Sequence, residues 1–319
     1  MTNENKGLWL GLLGVVIFSA SLPMTKLAVY AADPAGKQLS LGLSAWFVTF
    51  GRAAVAGILS IFYLAFVHFK SPASASFWPA RAHWGLLAFT ACGVVVGFPL
   101  FTALALRSVP SMHGAVVTGL LPLATAVVAA VWFQQKPALG FWVCAAVGSL
   151  LVLAFMVLRS SDSSGLHLHA ADVFLLLAMT SAALGYVGGA RLTPILGAEH
   201  VICWVLVLSL PITLPMAWLN LPQDNVPAVH WWGFAYVAVF SMWIGFFAWY
   251  RGLALGGAVR VSQVQLVQPF LSILIAVPLL GEKIDLLTIG FAIAVIATVF
   301  IGKKMPVTVP VPVGGGVKP

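Results

Sequence analysis

Two stretches of this chain set hydroxyl, amide and proline residues at helical spacing within otherwise apolar sequence. Ser111, Gly114, Thr118, Pro122 and Thr125 follow at intervals of three and four, which puts them on one helix face. Ser262, Gln265, Pro269 and Ser272 repeat the idea, with Thr118, Pro122 and Thr125 falling on Gln265, Pro269 and Ser272. Such groups either line a wet cavity or, being small, let helices pack closely. Gln265 is bulkier and its amide needs partners, so a cavity is expected beside it.

Charged groups near the apolar runs are few. Lys26, Arg52 and Arg191, if turned inward, would favour a carboxylate or phosphate; turned outward, their stems snorkel to the interface. His113 either titrates near neutral pH or holds a structural hydrogen bond, and Glu282 either carries a proton or sits as an interfacial acid beside Lys283. Mid-span Asp and Glu are lacking in every apolar run, so a buried proton-carrying acid is missing. Trp243 and Tyr250, with Phe246 between them, share a helical face that either stacks an aromatic ligand or packs on lipid.

Cys92, Cys144 and Cys203 lie in apolar runs without metal-binding spacing and read as small apolar side chains. No HExxH or GxSxG motif occurs, so neither cofactor nor metal is expected, and an intramembrane enzyme remains the alternative of another class. A flippase for a lipid-linked substrate is a further alternative.

The elements that position these residues follow from composition. With 61% hydrophobic residues, 8% charged residues and a mean hydropathy of +1.04, the chain cannot be a water-soluble globule. Crossing the hydrocarbon takes a helix of roughly 20 apolar residues, whereas membrane strands would alternate polar and apolar positions. Unbroken apolar runs such as 201–211 and 291–301 therefore select helices. Spans are expected near 7–30, 43–67, 84–106, 111–133, 138–158, 171–191, 200–220, 231–253, 258–280 and 284–302. Their ends carry Trp9, Trp78, Trp84, Trp132, Trp142, Trp218, Trp231 and Trp232, suited to the lipid–water boundary.

The first run, with Lys6 before it and Ser19-Ala20-Ser21 within it, superficially resembles a signal peptide. It continues to Tyr30 and reads as the first span. The net charge of +8 is scattered singly and forms no basic patch, which argues against nucleic acid. Placing the N-terminus inside gathers Lys6, Lys70, Arg81, Lys136, Arg191, Arg251, Arg260, Lys303, Lys304 and Lys318 at the cytoplasmic face. Lys26, Lys37, Arg107, Arg159 and Lys283 then fall outside, an asymmetry that matches the positive-inside rule and puts both termini in the cytoplasm.

The two halves resemble each other. Trp84-Gly85 matches Trp232-Gly233, Gly97-Phe98 matches Gly245-Phe246, Leu104-Ala105-Leu106 matches Leu253-Ala254-Leu255, and Lys26-Leu27 matches Arg191-Leu192. Pro122 falls on Pro269 and Gln135-Lys136 on Glu282-Lys283. The reading is an all-α integral membrane protein of about ten transmembrane helices in two inverted repeats of about five, the arrangement of a carrier with outward-open and inward-open states. Repeats are expected at 1–158 and 171–303, and 304–319 is expected to be a disordered cytoplasmic tail.

With Phe50-Gly51-Arg52 in span 2, Ala-Leu pairs closing spans 3 and 8, a mid-span proline in spans 4 and 9, and Glu282-Lys283, the chain resembles the EamA family of the drug/metabolite transporter superfamily over about residues 7–303. In the first half Gln135 stands where that family usually has an acid. The resemblance implies cytoplasmic termini, a central pathway between the halves and export of a metabolite. Combined with the inverted repeat, it leads to an expectation of alternating access for a small amino-acid-like or amphipathic solute across the plasma membrane, the bacterial inner membrane. Membrane lipid surrounds the chain; proton or solute counter-transport, and a monomeric or homodimeric state, stay open.

Overall fold

Peptide groups in lipid have no water to bond, so each must find its partner within the chain. The computed structural model describes residues 2–29, 42–70, 78–105, 120–159, 170–223, 225–280 and 286–308, and its described residues are helical apart from loops and one short ladder. Helices α1 (Asn3–Ser19) and α2 (Ser21–Val29) are followed by α3 (Ala45–Lys70). Helices α4 (Trp84–Ala91) and α5 (Phe98–Ala105) flank a π-helical segment at Cys92–Gly97. Next come α6 (Leu121–Trp132), α7 (Leu139–Arg159), α8 (Ala170–Leu196) and α9 (Ala198–Leu219). Helices α10 (Ala228–Tyr236) and α11 (Gly245–Gly256) flank a second π-helical segment at Val237–Ile244. Finally α12 (Ala258–Ser262) runs through a 3₁₀ segment, Gln263–Val267, into α13 (Gln268–Leu280), and α14 is Leu286–Lys304.

Among the described residues, 6 helical stretches are long and apolar enough to cross a membrane: Asn3–Val29, Ala45–Lys70, Arg81–Thr102, Val173–Leu196, Ala198–Leu219 and Ala228–Gly256. Large apolar side chains such as Phe62, Phe66, Val131, Leu139 and Ile293 stay exposed on the bundle's outside, as a surface solvated by lipid allows. Trp9, Trp78, Trp218 and Trp232 are exposed as well. Cys203 is buried, Cys144 half-buried and Cys92 exposed, so the expected packing holds for only part of that set.

The prolines act through the carbonyl four residues earlier, with which the pyrrolidine ring clashes. Pro23 breaks the first span between α1 and α2 and frees the Ser19 carbonyl, which accepts a 2.7 Å hydrogen bond from the Ser272 hydroxyl on α13. Pro99 follows the π segment at Cys92–Gly97, in which the Phe98 N–H bonds the Gly93 carbonyl. Pro269 stands four residues after Gln265, within the turn that has become 3₁₀. Pro122 occupies the first turn of α6, where its missing N–H costs nothing.

Helix pairing is extensive between early and late parts of the chain. Helix α3 packs along α9, α1 along α11, α7 along α14, and α8 against α4, α5 and the π segment between them. Helix α6 packs on α8, on α12 and on the 3₁₀ segment. Glycine permits two of these crossings to close almost to backbone contact. A Cβ added at Gly252 would lie 2.7 Å from the Gly11 nitrogen, and one at Gly93 would lie 2.6 Å from the Ser181 carbonyl oxygen.

One end of the bundle is tied by polar contacts. The Arg260 guanidinium reaches Glu4 at 2.7 Å and the Met305 carbonyl at 3.0 Å, while Arg251 pairs with Glu199 at 3.2 Å. Val307 and Thr308, inside the stretch expected to be a disordered tail, pair antiparallel with Pro137 and Lys136. Their β-branched side chains suit an extended pairing. Residues 309–319 lie outside the described residues.

Gly252→Leu is expected to overpack the α1–α11 crossing and destabilise the detergent-solubilised protein by about 1–3 kcal/mol. Gly85→Ala, where a new Cβ meets nothing within 4 Å, should leave stability unchanged. Thermal unfolding followed by tryptophan fluorescence compares the two, and equal melting temperatures would contradict the seam.

Candidate functional site

Span 9 turns its amides inward because its helix is not regular there. The clash of Pro269 with the Gln265 carbonyl draws the preceding turn into 3₁₀ form, and that turn is enclosed on every side, with Gln263, Val264, Gln265 and Leu266 all buried. Gln263 and Gln265 are 6% and 4% exposed. The Gln263 amide donates to the Pro122 carbonyl at 3.2 Å, joining span 9 to α6, while the side-chain oxygens of both glutamines are buried with no hydrogen-bond partner.

Beside Gln265 stands a residue that spacing alone did not single out. The Tyr186 hydroxyl, on α8, sits against the Gln265 side chain, with the Arg52 guanidinium and the Tyr250 phenol as its electrostatic neighbours. Arg52 is half-buried in α3, and its Nε is wholly buried without a partner. Tyr186 also packs edge-on against Trp249 at 5.5 Å between ring centroids and tilts against Phe246 at 6.0 Å. The Trp249 indole N–H is likewise buried and unpartnered. Side chains from α3, α8, α11 and the 3₁₀ segment thus converge on one polar centre walled by rings. A signal for Tyr186 does exist in the sequence: it sits in Gly185-Tyr186-Val187-Gly188-Gly189, a lone phenol among glycines that bring neighbouring helices close.

The remaining expected residues are distributed as follows. Thr125 is fully buried and donates to the Leu121 carbonyl in its own helix at 2.9 Å, which uses its only proton. Ser272 is committed to the Ser19 carbonyl, and Pro269 is half-buried at the start of α13. Tyr250 is fully buried, its hydroxyl 3.4 Å from the Gly185 carbonyl. Trp243 points elsewhere: its N–H reaches the Cys203 sulfur at 3.4 Å, and its ring meets Tyr63 and Phe247. The two aromatics expected to share a face therefore serve different helices, because Trp243 lies in the π segment, where the 3.6-residue period does not apply. Arg191 is exposed, 6.0 Å from the Trp132 ring centroid. Lys26 lies in α2. Thr118, His113 and Glu282 fall outside the described residues, as do Ser111 and Gly114.

A cavity of about 470 Å³ opens elsewhere, between Trp78, Pro79, Arg81 and Trp84, and touches none of the expected pathway residues. Among the described residues no cluster of His, Cys, Asp or Glu is arranged to hold a metal ion.

An all-helical, multi-pass membrane protein with a ring-walled polar centre is the class that this fold and site define. The chain belongs to the EamA-like transporter family: the family profile matches residues 169–302, and a Bacillus subtilis (strain 168) protein named "Uncharacterized transporter YdeK" is 41% identical over 307 residues, covering 95% of this chain and 99% of that one. A crystal structure of a protein only 15% identical superposes with a TM-score of 0.70 over 93% of this chain and 96% of its own, a likeness of fold. The chain is accordingly a membrane transporter.

Ser272→Ala should cost about 1 kcal/mol by orphaning the Ser19 carbonyl. In a Pro23→Ala background the helix regains its own donor, so the same change should cost much less. A double-mutant cycle in thermal stability measures the coupling, and additive effects would contradict the link between these two residues.

Proposed function

We propose that the chain is a secondary carrier of about ten helices, in two oppositely inserted halves, that exports a small amphipathic metabolite across the plasma membrane by alternating access. The observation that carries this reading is an exchange of partners between equivalent elements. Helix α1 packs on α11, and α8, from the corresponding place in the second half, packs on α4 and α5. A pseudo-twofold axis pairs the first span with the eighth and the third with the sixth in just this way, and leaves the second facing the seventh, the fourth the ninth and the fifth the tenth. Helices α3 and α9, α6 and α12, and α7 and α14 are in contact accordingly.

The two π segments add to it. One runs to Gly97 before Phe98 and the other ends just before Gly245-Phe246, the same matched pair. The second has no proline after it, so the bulge belongs to the repeat and not to Pro99 alone. Membership of a transporter family and the name of the 41% identical relative agree with a carrier.

In this reading the polar centre is the solute site, and the end tied by Arg260, Glu4 and Met305 is the cytoplasmic gate in its closed state. Both termini then lie in the cytoplasm, as the distribution of basic residues favours. The Thr118, Pro122 and Thr125 stripe and its Gln265, Pro269 and Ser272 counterpart form the seam along which the halves part.

A screen of exported metabolites in cells with and without the protein identifies the solute. Gln265→Ala is then expected to cut its export at least about tenfold with unchanged membrane insertion, since the amide is an interaction within the site. Unchanged export kinetics in that variant would overturn the site, and no difference between the cells for any metabolite would overturn the carrier.

A further inference from the structure

The charge at the polar centre has no counterpart among the described side chains. Arg52 lies within α3, and among the described side chains the carboxylates are engaged elsewhere, Glu4 with Arg260 and Glu199 with Arg251. Asp and Glu are missing from the middle of every apolar run, and α9, packed along α3, carries its single acid, Glu199, in its first turn. A guanidinium taken out of water without a counter-charge is strongly disfavoured, and its planar fork of donors matches a carboxylate. Around Tyr186, which Arg52 also faces, are further unsatisfied groups: the Gln265 side chain, 4% exposed with its oxygen unpartnered, and the Trp249 N–H.

The surroundings are aromatic. Tyr186, Phe246, Trp249 and Phe18 form a connected set of tilted and edge-on rings, with Phe18 to Phe246 at 5.2 Å and Phe18 to Trp249 at 6.2 Å. Such rings accept another ring edge-on or offset. A zwitterion would bring an ammonium group that needs a carboxylate here, whereas a monoanion leaves the site neutral.

We propose that Arg52, with Tyr186 and Gln265 beside it, binds the carboxylate of an aryl-bearing organic monoanion whose apolar body packs among the Phe18, Phe246 and Trp249 rings. This rests on the reading of the polar centre as the solute site. Arg52 supplies the charge, the Tyr186 hydroxyl a further donor, and the rings the selection for an apolar body over a small inorganic anion.

The test uses the full chain in lipid nanodiscs with benzoate as probe and benzamide, its neutral isostere, as control. Millimolar benzoate should raise the melting temperature in a concentration-dependent way and benzamide should not. Arg52→Gln should weaken benzoate binding by more than about tenfold, Arg52→Lys less, and Tyr186→Phe by a few-fold. The proposal is overturned if benzamide binds as well as benzoate, if chloride or inorganic phosphate protects equally, or if benzoate does not bind the wild type. Unchanged binding in Arg52→Gln also overturns it. Should Arg52→Gln fail to fold, the benzoate–benzamide comparison on the wild type still decides. Failure of the carrier reading is seen separately: proteoliposomes that exchange a neutral solute while ignoring benzoate refute only the anion site, and proteoliposomes that exchange nothing refute the carrier.

Discussion

Lipid offers peptide groups nothing to bond with, and most of what is distinctive in this chain answers to that constraint. At three of the prolines that interrupt a helix, the loss is answered nearby. The Ser19 carbonyl, freed by Pro23, takes the Ser272 hydroxyl; the strain around Pro99 and Pro269 goes into a π segment and a 3₁₀ turn. Five hydroxyls follow the same rule, while those of Ser149 and Thr213 are buried without a partner. Ser60, Thr90, Thr125, Thr193 and Ser209 each donate to the carbonyl four residues back, so they close on their own helices. The Arg52 Nε, the Trp249 N–H and the Gln265 oxygen, buried without partners on residues around Tyr186, are the groups that the proposed solute would satisfy.

The same constraint explains how tightly the halves meet. Helices in lipid gain nothing from hydrophobic exclusion, so they must pack closely to hold together. Glycines at 7, 11, 252 and 256 bring α1 against α11, and those at 93 and 185 bring the third span against α8. In the proposed carrier these two seams are equivalent, each joining a first-position helix of one half to a third-position element of the other. Motion then concentrates where polar ties, not glycine seams, connect the halves: at Glu4 with Arg260 and along the contact of α6 with the 3₁₀ segment.

Much of this was legible in the sequence. Long apolar runs located the six membrane-length helices among the described residues, since burial in lipid needs length and hydropathy and little else. The paired Gly-Phe and Trp-Gly blocks revealed the internal resemblance, and Gln265 stood out because a bulky amide in an apolar run must have a partner. Local departures from 3.6-residue geometry were not legible. Spacing gave Trp243 and Tyr250 a common face, which the π segment at Val237–Ile244 undoes. Tyr186 escaped notice because its role depends on four separate segments meeting, which no period along one helix encodes.

Opposite insertion of the two halves is the claim on which the carrier rests, and the matched Trp-Gly pairs at the starts of the third and eighth spans test it most directly. In a chain whose own cysteines, Cys92, Cys144 and Cys203, are replaced by serine, single cysteines at Gly85 and at Trp232 are labelled in intact cells with a membrane-impermeant maleimide. The account predicts that Trp232→Cys reacts from outside and Gly85→Cys only after the membrane is opened. Reaction of both from the same side would contradict it.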